Sequence, residues 1–114
     1  MHNSTKPVYL KLRDIISDSI LDGHYSEGDM LPSVRAFAVE QGANPLTVAK
    51  AYQGFQEDGL VRVKRGVGMF VASGAKTKLR EQQRADFFKN VWPPVERQMK
   101  RLDIRLEELL ENES

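Results

Sequence analysis

Apolar positions in the first half of the chain recur at helical spacing three times, and capping or turn residues bound each run. Val8, Leu12, Ile15, Ile16 and Ile20 share one face of a first helix that begins near Pro7. Ser4 or Thr5 is placed to cap it and Gly23 to end it, and Gly23 to Asp29 is turn chemistry. A second helix follows Ser33, whose hydroxyl can accept an orphan backbone N–H, and closes at Gly42. Val34, Phe37, Ala38 and Gln41 mark its inner edge. Only Ala43 separates Gly42 from Asn44-Pro45, an N-cap residue followed by proline at the first helical position. The third helix carries Val48, Ala51, Tyr52 and Phe55 at spacing i, i+3, i+4, i+7 and ends at Gly59. Two short helices joined by so tight a turn predict a helix-turn-helix.

The periodicity then changes. Leu60 to Lys64 and Met69 to Ala72 are short strand-like runs around Arg65-Gly66-Val67-Gly68, which predicts a β-hairpin. A hairpin directly after the third helix is the wing of a winged helix. Ser73-Gly74-Ala75 then reads as a hinge, dividing a winged-helix domain over 1–74 from a helical region over 75–114. The expected fold class is mostly α with one small hairpin. In the second region a helix is predicted near 77–91, a break at Trp92-Pro93-Pro94, and one or two helices from 95 to 111 with an interruption near Asp103-Ile104.

This tail holds more large apolar side chains than its length can bury. Leu79, Phe87, Phe88, Val91, Trp92, Val95, Met99, Leu102 and Leu106 are the candidate dimerisation residues, with Leu109 and Leu110 continuing the pattern. Packing of the tail on the head is the competing use of the same residues. A small-molecule pocket beside Trp92 is a third, resting on one aromatic side chain.

Composition narrows the function classes. The chain has 114 residues, 40% of them apolar and 29% charged, enough for one compact domain and an appendage. It has no cysteine, which excludes disulfides and thiolate metal sites and suits a reducing cytoplasm. No apolar run approaches the roughly 20 residues that span a membrane, and the first residues lack the apolar core of a signal peptide. His2 and His24 stand alone, Glu107, Glu108, Glu111 and Glu113 form a solvated acidic end, and no catalytic or metal-binding spacing stands out. No enzyme and no cofactor is expected.

The formal net charge is only +1, so any basic footprint for DNA must be local. Three local features supply one. The third helix, with its apolar stripe buried, presents Leu46, Thr47 and Lys50, and less centrally Gln53 and Gly54, on the other side. Thr47 can reach phosphate or base, Lys50 guanine or phosphate, and Leu46 a thymine methyl. An ordinary solvated helix face would carry the same residue types. Arg35 in the first turn of the second helix opposes the helix dipole, a cost that phosphate or guanine contact, or an ion pair with Asp29 or Glu40, would offset. Lys64-Arg65-Gly66 puts two cations and a close-approach glycine at the hairpin tip, suited to phosphate or minor-groove contact. Gly66-Val67-Gly68 lacks the third glycine and the strand-to-helix setting of a nucleotide loop.

Taken in order, Gly28 to Arg35, Ala38, Asn44 to Tyr52, Asp58 to Val61 and Gly66 to Val71 resemble the GntR family of regulators over residues 7 to about 72. Asn44-Pro45-Leu46-Thr47-Val48 with a short C-terminal part resembles the YtrA subfamily. The resemblance implies a homodimeric transcriptional regulator, generally a repressor, on a pseudo-palindromic operator of double-stranded DNA. It implies DNA contacts at Arg35, at Thr47 and its neighbours, and at Gly66 and the basic wing; Ser33 and Asn44, at the starts of the second and third helices, join them as candidate DNA-binding residues. It also implies dimerisation through the helical tail. About 40 residues after the wing are too few for a separate effector domain, so a small-molecule effector stays unidentified.

Overall fold

The computed structural model describes residues 6–112; Ser4, Thr5, His2 and Glu113 lie outside them. The chain divides into two compact units between Arg80 and Glu81.

The first unit is a three-helix head with a hairpin. Helix α1 spans Val8–Leu21, α2 Val34–Gln41 and α3 Pro45–Glu57, followed by strands β1 (Val61–Lys64) and β2 (Gly68–Val71). Helix α3 is the centre of the core. Val48, Ala51, Tyr52 and Phe55 are all buried, packed among Leu12, Ile16 and Ile20 of α1 and Phe37 and Ala38 of α2. The predicted faces need three adjustments. Val8 and Ile15 of α1 are exposed, and Ser17 takes a buried place instead; Gln41 of α2 is also exposed. The full apolar list for α1 spans a wider arc than the strip its neighbours cover.

The helix ends follow local chemistry. Ser33 Oγ accepts from Ala36 N at 3.0 Å, and Asn44 Oδ1 accepts from Leu46 N at 2.8 Å. Gly42 takes a left-handed conformation with φ 63°, which lets the chain leave α2 and enter α3 within two residues. Helix α1 has Pro7 at its N-cap position and no side-chain cap.

The hairpin is antiparallel, pairing Val61 with Val71 and Lys64 with Gly68. Its inner end, with Val61 and Val71 buried, is anchored in the core, while the tip projects. A third segment joins it: Met30 bridges to Phe70, Leu31 N donates to Met69 O at 2.9 Å and Val71 N to Asp29 O at 2.8 Å. This extra edge ties the approach to α2 directly to the wing. One bridged residue is too short to leave a periodic signal in the sequence.

Helix α4 runs Ala75–Asp86. Ala75 and Leu79, one helical turn apart, are buried in the head core, Leu79 at only 2% exposure. The head therefore extends past the Ser73-Gly74-Ala75 hinge into the first turns of α4, and Leu79, grouped with the tail by its apolar character, packs in the head core instead.

The second unit contains the rest of α4, a π-helical turn over Phe87–Val91, α5 (Trp92–Leu102) and α6 (Leu106–Glu111). The expected break at the prolines is replaced by this wide turn. Trp92 N donates to Phe87 O, five residues back. Pro93 and Pro94 then occupy the first turn of α5, where a missing N–H removes little. The interruption at Asp103 is as expected: Asp103 adopts φ 56° and closes α5. Phe87, Phe88, Val91, Val95, Leu102 and Leu106 are exposed, and Trp92 and Met99 half-buried. No helix among the described residues is long and apolar enough to cross a membrane.

Candidate nucleic-acid interface

With its core stripe turned inward, α3 exposes Leu46, Ala49, Lys50 and Gln53. Their spacing is i, i+3, i+4, i+7, so they form one continuous strip along the helix. Leu46 is the most exposed large apolar residue of the helix, at 80%. Thr47 is half-buried at the strip's edge. Ala49 joins the strip, where helical spacing counted outward from the buried stripe places it.

Gly54 does not belong to this strip. A Cβ there would lie 2.8 Å from Arg13 Nη1, so the glycine makes room for α1. The Arg13 guanidinium stacks 5.1 Å from the Phe55 ring centroid and pairs with the Asp58 carboxylate. One turn earlier in both helices, Lys50 Nζ lies 4.1 Å above the Tyr9 ring centroid. The α1–α3 seam is thus cationic side chains against aromatic rings, and Lys50 is part of it.

Arg35 is exposed on the first turn of α2 and makes no salt bridge among the described residues. Asp29, one of its two anticipated partners, instead accepts from Ser26 N at 2.8 Å. Ser33 and Asn44 are exposed, with one oxygen of each already engaged as a helix cap.

At the wing, Lys64, Arg65 and Gly66 are all exposed. Gly66 has φ 78°, a left-handed turn position that only glycine fills without strain. Arg62 is exposed too, and strand alternation puts it on the same face as Lys64, a cation that period-two counting from Lys64 would have picked out. Lys64 Nζ lies 5.5 Å from the Phe70 ring centroid. Between the wing and the start of α2 runs a groove of about 490 Å³, lined by Met30, Pro32, Ser33, Val34 and the hairpin from Val63 to Met69. The head therefore offers an exposed helix strip, a cationic helix start and a cationic hairpin, with a groove separating the last two.

Residues 8–71 match the family described as "Bacterial regulatory proteins, gntR family". The chain belongs to the GntR family. It is 33% identical over 108 residues to the HTH-type transcriptional regulator YhcF of Bacillus subtilis, covering 95% of this chain and 88% of that protein. It is 38% identical over 78 residues to the HTH-type transcriptional repressor YtrA of the same organism, covering 68% of this chain and 60% of YtrA. A GntR-family structure from Bacteroides thetaiotaomicron superposes with TM-score 0.69 at 37% identity, covering 92% of this chain and 91% of that one. The AraR DNA-binding domain, solved in complex with operator ORX1, superposes with TM-score 0.56 at 27% identity over 58% of this chain and 80% of its own. This GntR protein is a DNA-binding transcriptional regulator with a winged-helix head.

Proposed function

We propose that this regulator is a homodimeric repressor acting in the bacterial cytoplasm on a pseudo-palindromic operator. Helix α3 enters the major groove of each half-site, and the wing lies on the backbone or in the minor groove. The observation that carries this reading is that Arg35 and Arg65, exposed and without an ion pair among the described residues, belong to the same head as the exposed α3 strip. Solvated cations with no internal partner are what a phosphate lattice neutralises. In this reading Arg35 and Arg65 grip phosphates. Lys50, steadied by Tyr9, reaches the backbone, and Thr47 and Asn44 contact it at the helix entrance. Ser33 and Gly66 permit close approach, Lys64 adds charge, and Leu46 faces base edges. Repression is supported by the repressor YtrA among the relatives.

Dimerisation is supported by the second unit. Within α5, Trp92, Val95, Met99 and Leu102 recur at spacings of three, four and three, the pattern of a helix seam facing another helix. A two-fold pair would place the α3 helices about 34 Å apart, one turn of DNA.

The test is binding to the promoter of the protein's own operon at several salt concentrations. The expected result is tight, sequence-specific binding that weakens steeply as salt rises. Equal affinity for a scrambled duplex would refute the proposal.

A further inference from the structure

At the entrance of α3 the Asn44 side-chain oxygen caps the helix and the Lys50 ammonium rests on a ring, while the most exposed side chain at the tip is aliphatic. Asn44 Oδ1 is held by Leu46 N at 2.8 Å. That same bond occupies the Leu46 backbone donor. Thr47 is half-buried, and the Lys50 ammonium is drawn sideways over the Tyr9 ring at 4.1 Å. Leu46, at 80% exposure, and exposed Ala49 are left one turn apart at the leading end of the strip. A single exposed leucine is ordinary. Two adjacent aliphatic side chains on the first turns of a helix that enters the major groove have a specific counterpart there, because thymine alone among the bases of unmodified DNA carries a C5 methyl group in that groove.

We infer that Leu46 and Ala49 read thymine methyl groups, so that each operator half-site holds a thymine under the α3 tip that is recognised by apolar contact rather than by hydrogen bonding. This rests on the major-groove placement of α3 proposed above. Leu46 is the principal reader, since it projects furthest; Ala49 forms the wall beside it. A lysine or arginine at the tip would favour guanine, whereas this surface is indifferent to donors and acceptors and responds to the presence of a methyl group.

Deoxyuridine differs from thymidine only by that methyl, which makes it the probe. The operator is first obtained by selecting bound duplexes from a random pool with the full-length protein. Each thymine of one half-site is then replaced singly by deoxyuridine, and affinity is measured for the wild type and for Leu46→Ala. One thymine is expected at which methyl removal weakens the wild type about fourfold, the equivalent of one buried methylene. Replacing its symmetry mate as well should give about fifteenfold, and Leu46→Ala should lose the sensitivity at that position only. Wild-type affinity unmoved by deoxyuridine at every position overturns the inference while leaving the DNA-binding reading intact. Sensitivity that persists in Leu46→Ala overturns the assignment to Leu46. A selection that enriches no sequence overturns both readings. Leu46 is 80% exposed and lies outside the buried core, so circular dichroism should confirm that the variant keeps its helices.

Discussion

The Tyr52 phenol in α3 donates to the Pro32 carbonyl oxygen at 2.7 Å, tying α3 to the residue just before the cap of α2. The ring packs 6.1 Å from that of Phe37. Burial pushes the phenol's pKa well above the ordinary tyrosine value, with the neighbouring Tyr25 and Glu40 adding to the shift. The unfolded chain therefore releases this proton at a lower pH than the folded one. The stability tied to the neutral phenol is complete below about pH 10 and falls as pH rises beyond it. Thermal unfolding followed from neutral to strongly alkaline pH should show that decline. Tyr52→Phe should cost about 1 kcal/mol at neutral pH, by leaving the Pro32 carbonyl without its donor, and should flatten the alkaline decline. An equally steep decline in the variant would refute the assignment.

The contact between Gly54 and Arg13 makes a second prediction. Alanine in place of a mid-helix glycine ordinarily stabilises by about 1 kcal/mol. Here the new methyl group meets the far end of the arginine, which must swing away from Phe55 and Asp58. Gly54→Ala should therefore give less than half of that gain in the wild type and nearly all of it in an Arg13→Ala background. Urea denaturation of the four proteins measures the difference. Equal gains in both backgrounds would show that Arg13 does not occupy the space.

Much of this architecture is legible in the amino-acid order because local chemistry and packing agree. Ser33, Gly42, Asn44 and Pro45 each do at a helix end what their type does best, and the stripe Val48, Ala51, Tyr52, Phe55 is wholly buried. The site is less legible, because contact between elements decides which residues face outward. Gly54 lies on the outer half of α3 until α1 is placed against it, and Lys50 stands alone until Tyr9 arrives. Leu79 shares its apolar character with Phe87 and Phe88, and only the docking of α4 separates them. At Trp92-Pro93-Pro94 the type of residue points to a break. A π-helical turn leads into them instead and seats both prolines in the first turn of α5, an arrangement with no compositional mark.

Removing Arg35 should separate binding from folding. Its side chain is exposed and has no ion pair among the described residues, so Arg35→Ala should move stability by less than about 0.5 kcal/mol. Operator affinity should fall about tenfold or more, as expected for a charge-assisted contact. The salt dependence per half-site should weaken by about one counterion. Arg65→Ala should behave alike. Unchanged affinity with an unchanged salt slope would remove either residue from the interface.

The tail is tested best by a cut placed where the core ends. Truncation before Ala75 would strip Ala75 and Leu79 from the head, mixing loss of dimerisation with loss of stability. Leu79→Ala alone should cost about 2–5 kcal/mol, the usual penalty for emptying a buried leucine site. A chain ending at Arg80 keeps both residues and removes every exposed apolar position from Phe87 to Leu110. It should melt close to the full protein, sediment as a monomer and bind a single half-site with nearly normal affinity. On the complete operator it should bind far more weakly than the full chain, because the second half-site is no longer reached at high effective concentration. Sedimentation of this truncated chain as a dimer would place the self-association surface on the head. A monomer with full operator affinity would show that the tail contributes nothing to DNA binding.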